Sequence, residues 1–425
     1  MSAVPENRSG AFVQIGATRD GLDPYLDCAR RRGMPAVLVE TDAYLRWRRA
    51  LGRRRFDLEL PVARPHDPDS VQAALAAAGV RTALLLTGFE RYVAAGFELA
   101  RRLRVAPWPR AGAGFAPPDK AQARTMLAAT APELPQPRLV PLTSQDAAPA
   151  ALLGYPQVLK PVDGGGGLGV LLAEDGYAAR RAVEQISALR NYGGGAFAGL
   201  LAEEYVPGPE VSIQALAVDG TPHVLSMCEK ITALEPVPGE PGLSGFRELG
   251  HVVRPGAEAG EPLRRLAARC LEATGYREGP FHLDAILGEA GPVFVEMGFR
   301  LSGGGLAGLI RRATGLDWAQ EVFRVHLGEG PIDAPSTPPR AVGQVAALHA
   351  AELEYAEAAE DPSVTIEVLR AARPSLDGLS PADLDLLASD RLRHTAVLGR
   401  IIASGPDAED VHRLLADLVA VRTGV

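Results

Sequence analysis

Residues 155–170, YPQVLKPVDGGGGLGV, run an apolar segment into Lys160 and then place four consecutive glycines, Gly164 to Gly167, before the next apolar run. Glycine costs backbone entropy inside a folded domain, so a run this dense marks a place where side chains would obstruct something the backbone must touch. Unobstructed N–H groups near a lysine suit a phosphate chain. A second pattern lies downstream in HLDAILGEAGPVFVEMG, residues 282–298, where two apolar runs each carry one carboxylate, Asp284 and Glu296. Strand neighbours across the short turn GEAG place both on one face. Two buried carboxylates repel unless a proton or a cation sits between them. Oxygen-only ligands suit magnesium, which normally also takes substrate phosphates. Pairing of each carboxylate with an arginine is the alternative reading.

The elements that must carry these residues follow from hydrophobic spacing. Over the first hundred residues, the runs 11–16, 36–40 and 82–88 read as buried strands, and 22–32 and 91–103 as helices. Strands alternating with helices imply a parallel α/β sheet. The first strand leads into GATRDG, which lacks the glycine spacing of a dinucleotide-binding turn. The proline-rich stretch 106–118 reads as a boundary. Beyond it, Asp119 is a candidate helix cap, 159–170 reads as strand, loop and strand, and 177–189 as a helix. A second glycine-rich loop follows at 191–199. LLAEEYV reads as a strand ending at PGPE, and VSIQALAVDGTPHVLSM as a hairpin turning at Asp219-Gly220. Residues 262–274 read as a helix, 281–287 and 292–298 as paired strands, and 334–340 as a proline-rich connector.

A chain of 425 residues with 47% hydrophobic content is globular and large enough for two to four domains. A formal charge of −8 argues against a general affinity for nucleic acid. Cys28, Cys228 and Cys270 are widely separated and show no metal or redox spacing, which fits a reducing compartment. The polar start MSAVPENRSG lacks the apolar core of a signal peptide, and no apolar run is long enough to span a bilayer. A cytoplasmic protein with no membrane partner is the expectation.

Taken in order, a DK…R helix start (Lys120, Arg124), VLKP with its glycine loop, EEYVPGPEVSI, HLDAIL and VFVEMGFRLSGG together resemble the ATP-grasp superfamily over about residues 119–329. The resemblance implies an α/β and α+β multidomain protein, an ATP-grasp fold preceded by a Rossmann-like parallel α/β domain. Its expected parts are 1–117, the N-terminal α/β domain; 118–207, a small lobe with a glycine-rich lid; 208–335, a large lobe with the metal site; and 336–425, a segment completing the large lobe or the substrate pocket. The resemblance further implies that Lys120 and Lys160 contact ATP phosphates and that the loop bearing Gly165, Gly166, Gly167 and Gly169 folds over them. Backbone groups of Glu203 and Val206 would read the adenine edge, and Glu210 would accept from the ribose hydroxyls. Asp284 and Glu296 would bind Mg2+, and Arg300 would face the charge on a transferring phosphoryl or acyl-phosphate group. The competing readings are solvated lysines, a solvent-facing Glu204 and an arginine in a structural ion pair. One departure stands out: the family commonly has asparagine two residues after the second metal-binding glutamate, and here that position is Gly298.

Within SGFRELGHVVRP, residues 244–255, Glu248 and His251 are similar to a Glu-x-x-His element of L-amino-acid ligases. Glu248 would hold the ammonium of an amino-acid substrate, and His251 would hydrogen-bond near the reacting carboxylate or accept a proton from the amine. Lys230 is a further candidate for the phosphates, and His282 reads as a packed strand histidine. The implied activity is an ATP-dependent carboxylate–amine ligase that forms a dipeptide-like amide through an acyl phosphate. Its partners would be a small carboxylate and an amine, with a homodimer allowed. An ATP-grasp enzyme of nucleotide or cofactor biosynthesis and a non-catalytic nucleotide binder are the alternatives.

Overall fold

The structure is a computed structural model that describes residues 10–423 apart from 109, 113, 143–147, 193, 331–337 and 339. Most of the 334–340 connector, the boundary set between 335 and 336, and the polar stretch 1–9 lie outside the described residues.

The first sheet holds β1 (Ala11–Ile15), β2 (Ala36–Glu40), β3 (Leu58–Pro61) and β4 (Thr82–Thr87), all parallel in the order β3-β2-β1-β4. Every residue of β1 and β2 is buried, as expected of parallel strands covered on both faces. The helix expected at 22–32 is shorter, Pro24–Arg31, because Asp23 takes a left-handed conformation and Pro24 starts the first turn. The helix expected to begin at 91 is a single tight turn, Glu90–Tyr92, leading into Val93–Leu103. Helices Asp42–Ala50 and Pro68–Ala77, and β3 between them, were not anticipated. Both helices nevertheless carry legible caps, Thr41 and Asp67, while β3 is a short edge strand ending in proline.

The second sheet is antiparallel. Its strands are β5 (Leu139–Leu142), β6 (Gln157–Pro161), β7 (Leu171–Ala173), β8 (Leu200–Glu204), β9 (Glu210–Val218), β10 (Thr221–Pro236), β11 (Leu243–Pro255), β12 (Gly279–Gly288), β13 (Gly291–Gly298), β14 (Ala341–Ala347), β15 (Thr365–Arg370) and β16 (Gly399–Gly405). The path runs β13-β12-β9-β10-β11-β7-β6-β8-β5, and β14, β16 and β15 continue from β11. The segment after the connector therefore shares the large sheet. Strand ends differ from expectation in several places: β7 begins at Leu171 because 164–170 is taken up by turns, β8 stops at Glu204, two residues short of Val206, and β10 runs on past Met227 to Pro236. The Asp219-Gly220 turn joins β9 to β10.

Alternation along β12 decides which side chains reach the site. Phe281, Leu283 and Ala285 face an apolar core with Phe294 and with Leu263, Leu266 and Leu271 of the helix Gly260–Thr274. His282 and Asp284 consequently face the other way. Replacing Phe281, which is fully buried, with alanine removes the anchor of that face. A loss of about 3–5 kcal/mol in urea unfolding is expected, and a loss near zero would show that the strand is oriented by something else.

Candidate active site

Four positions form a square on the outward face of the β12–β13 hairpin: His282 lies opposite Gly298, and Asp284 opposite Glu296. Asp284 is buried, and its Oδ2 accepts from Lys230 Nζ at 2.6 Å while Oδ1 has no hydrogen-bond partner among the described residues. The same ammonium donates to Glu210 Oε1 at 2.5 Å and lies 3.6 Å from Glu248 Oε2. Burial opposes the charge on Lys230, but these carboxylates outweigh it and hold its pKa well above the usual lysine range. Across the hairpin, Glu296 Oε2 lies 3.0 Å from Lys120 Nζ, which also donates to the carbonyl of Gly164 at 2.6 Å. Burial pushes the Glu296 carboxyl up, yet Lys120, Lys230 and Lys160 hold it far below the usual carboxylate range. The counterions of the two candidate metal carboxylates are thus lysines and not arginines.

Glu203 turns its side chain inward from β8. It takes Lys160 Nζ at 2.6 Å and the Arg124 guanidinium at 3.1 and 3.2 Å, and all three residues are buried. Its main chain lies in the sheet, opposite Val158 of β6 and Leu139 of β5, whereas Val206 follows beyond the last pair of β8. Glu204 is half-buried and pairs with Arg138.

The loop between β6 and β7 makes two successive turns, Leu168 N–H to Gly165 and Val170 N–H to Gly167. Gly166 and Gly167 both have positive φ there, 61° and 74°, which only glycine adopts without strain. At its tip, a Cβ on Gly165 would come within 4.0 Å of Glu90, a residue of the N-terminal domain. Glu90 holds Arg300 through Nε at 2.6 Å, and the Arg300 guanidinium also donates to its neighbour Leu301 at 2.7 Å.

Glu248 and His251 are three apart on a strand, a spacing that ordinarily sends side chains to opposite faces. Here Leu249 is an extra residue: Ile231 pairs with Gly250 and Thr232 with Glu248. A bulge of this kind re-aims the flanking side chains. It brings Glu248 Oε1 to 2.9 Å from His251 Nε2.

Glu90, Gly165, Gly166, Gly167, Lys230, Glu248, His251, His282, Asp284, Glu296 and Arg300 all line one cavity of about 170 Å³. A neighbouring cavity of about 230 Å³ adds Lys120 and Gly164 and runs back under the loop. Sequence reasoning missed Arg19, Asp20 and Glu90, which reach the first cavity from the ends of β1 and β4. The sheet order was the available signal, because ligands of open parallel sheets lie outside the carboxyl ends of the strands where the order reverses. Among the described residues no three His, Cys, Asp or Glu side chains are gathered as a ready metal centre. The bare Oδ1 of Asp284 and the facing Glu296 nevertheless supply oxygen donors that fit a magnesium ion arriving with phosphates.

Residues 118–304 match the ATP-grasp domain family. An uncharacterized protein of Sinorhizobium fredii is 30% identical over 214 residues, 50% of this chain and 42% of that protein. Dapdiamide A synthase of Enterobacter agglomerans is 24% identical over 163 residues, 38% of this chain and 37% of that enzyme. The chain therefore aligns with less than half the length of either curated relative. In fold, it is similar to L-amino acid ligase from Bacillus licheniformis (TM-score 0.67, 18% identity, 97% of this chain and 98% of that one). It is also similar to carboxyaminoimidazole ribonucleotide synthase of Aspergillus clavatus (TM-score 0.66, 15% identity, 97% and 99%). Among the described residues, no helix is long and apolar enough to cross a membrane.

The buried Glu203 carboxyl is pushed up by desolvation but held by Lys160 and Arg124 below its ordinary value of 4.5. A carboxylate depressed on folding contributes stability above its ordinary value and loses it as pH falls through the folded one. Urea stability is expected to drop below pH 4.5, with a shallower drop in Glu203→Gln. Parallel slopes would show that this cluster does not titrate in that range.

Proposed function

We propose, from the ATP-grasp domain at residues 118–304, that the chain is an ATP-dependent carboxylate–amine ligase that joins an amino acid or small carboxylic acid to an amine as a dipeptide-like amide. The observation that carries this reading is the single cavity shared by the glycine loop, Lys230, Asp284, Glu296, Arg300 and the Glu248–His251 pair. Nucleotide-phosphate machinery and an ammonium-and-proton pair thus face each other across one small volume.

Lys120, Lys160 and Lys230 now hold carboxylates, and phosphate oxygens would take their place with little change in local charge. Asp284 and Glu296 would hold magnesium, whose role is to neutralise phosphate charge. Arg300, released from Glu90, would face the oxygens of the transferring phosphoryl group and of the acyl phosphate. The loop 164–169 would close over the phosphates and exclude water. Glu248 would take the ammonium of the incoming amino acid, and His251, oriented by the same carboxylate, would accept its proton. The adenine and ribose would lie at Val206, Glu203 and Glu210. The work would take place in the cytoplasm, and a homodimer is compatible with it.

An amino acid suits this reading better than a phosphorylated acceptor. Beyond Lys230 and Arg300, which the nucleotide would occupy, the strong cation among the described lining residues is Arg19, held by the buried Glu40. Arg19 is also stacked between Tyr44 and Phe89, at 3.6 and 3.8 Å from the ring centres.

Phosphate release from ATP and magnesium across a matrix of free amino acids and small carboxylic acids, with mass spectrometry of each positive, tests the reading. A pair-dependent signal with a condensed product is expected. Release that depends only on a phosphorylated acceptor would overturn it. Glu296→Ala should abolish ADP formation in a folded protein. His251→Gln should raise the KM for the amine at least tenfold while leaving ADP binding unchanged, since its side chain faces the acceptor side. Equal loss of both would make His251 structural.

A further inference from the structure

His282 and Gly298 are a matched pair. A Cβ placed on Gly298 would lie 2.3 Å from Cε1 and 2.7 Å from Nε2 of the His282 ring, so no side chain fits at 298 while the ring stands where it does. The imidazole therefore occupies the corner of the carboxylate face that a residue at 298 would otherwise fill. It does so from the opposite strand, directly across the ladder.

The ring has a defined orientation. Its Nδ1 lies 3.3 Å from the carbonyl oxygen of Arg300. A carbonyl only accepts, so that contact requires the proton on Nδ1 and leaves a lone pair on Nε2 of the neutral ring. No described residue hydrogen-bonds Nε2, and His282 lines both cavities beside Glu296 and Arg300. A histidine whose one nitrogen donates to a backbone carbonyl while the other is bare has the arrangement usual for a metal-ligating imidazole. The second bare donor on the same face is Asp284 Oδ1, two residues along the same strand.

We propose that His282 Nε2 is the third protein donor to the divalent ion that accompanies the nucleotide, next to Asp284 and Glu296. The proposal rests on the nucleotide-site reading given above. In this structure the two carboxylates turn to Lys230 and Lys120 and not to the imidazole. Exchange of those ammonium groups for phosphates frees both carboxylates to share an ion with the ring. A nitrogen in the donor set also moves the site toward Mn2+ and Co2+ relative to Mg2+, because imidazole suits transition metals better than it suits magnesium.

Mn2+ and ADP are the probes. Continuous-wave EPR of Mn2+ titrated with the protein and ADP measures ternary binding, and electron spin echo envelope modulation of the bound ion detects a directly coordinated 14N. A bound ion with 14N modulation that disappears in His282→Gln supports the assignment, as does an affinity for Mn2+ about tenfold weaker in that variant. A bound ion without 14N modulation, or with modulation that survives His282→Gln, overturns it and leaves the nucleotide site standing. Failure of Mn2+ and ADP to bind together overturns both. Because His282→Gln also removes the ring's contact with the Arg300 carbonyl, the exchange variant His282→Ala/Gly298→Asn provides a second check. It should bind Mn2+ and ADP within about threefold of wild type with no 14N signal, whereas Gly298→Asn alone should bind at least tenfold more weakly. Equal binding by Gly298→Asn with its 14N signal intact would refute the pairing.

Discussion

One ammonium group holds the site in register. Lys230 reaches Glu210 at the start of β9, Asp284 on β12 and Glu248 on β11, so the central strands of the large sheet converge on a single cation. Without it, the buried Asp284 and the half-buried Glu210 would face each other and the exposed Glu248 with no shared counterion, which favours taking up a proton. Burial drives the Glu210 carboxyl up even with Lys230 present, which shows how closely desolvation and pairing are balanced there.

The same economy recurs at Lys120–Glu296, at Arg300–Glu90 and at the Lys160–Glu203–Arg124 cluster. Each of these cations is neutralised by a carboxylate. This arrangement avoids the penalty of an isolated buried charge while keeping the groups in place. On the proposed reading, phosphates would exchange for these carboxylates charge for charge, which lets a chain of net charge −8 take a polyanion.

Much of this was legible in the order of residues. Alternation in HLDAIL places Asp284 outward and Phe281, Leu283 and Ala285 inward, and the short turn after it sets Glu296 opposite. The glycine run announced a loop without side chains. What stayed hidden depends on register and on long-range packing. Glu248 and His251 share a face only because Leu249 is a bulge, which a spacing of three in a strand does not reveal. Glu90 and Arg19 belong to another sheet and reach the site through tertiary docking. Gly298 reads from the sequence as a missing ligand, whereas in three dimensions it is the room that His282 needs.

β11 changes partners along its length. Its first residues, 243–245, pair with β7 at the base of the glycine loop, and 250–253 pair with β14 in the C-terminal part of the chain. Glu248 lies in the gap between these two ladders, and His251 follows Gly250, the first residue of the second. On the proposed reading, a shift of β7 on nucleotide binding would reach the backbone of Glu248 and His251 along one continuous strand.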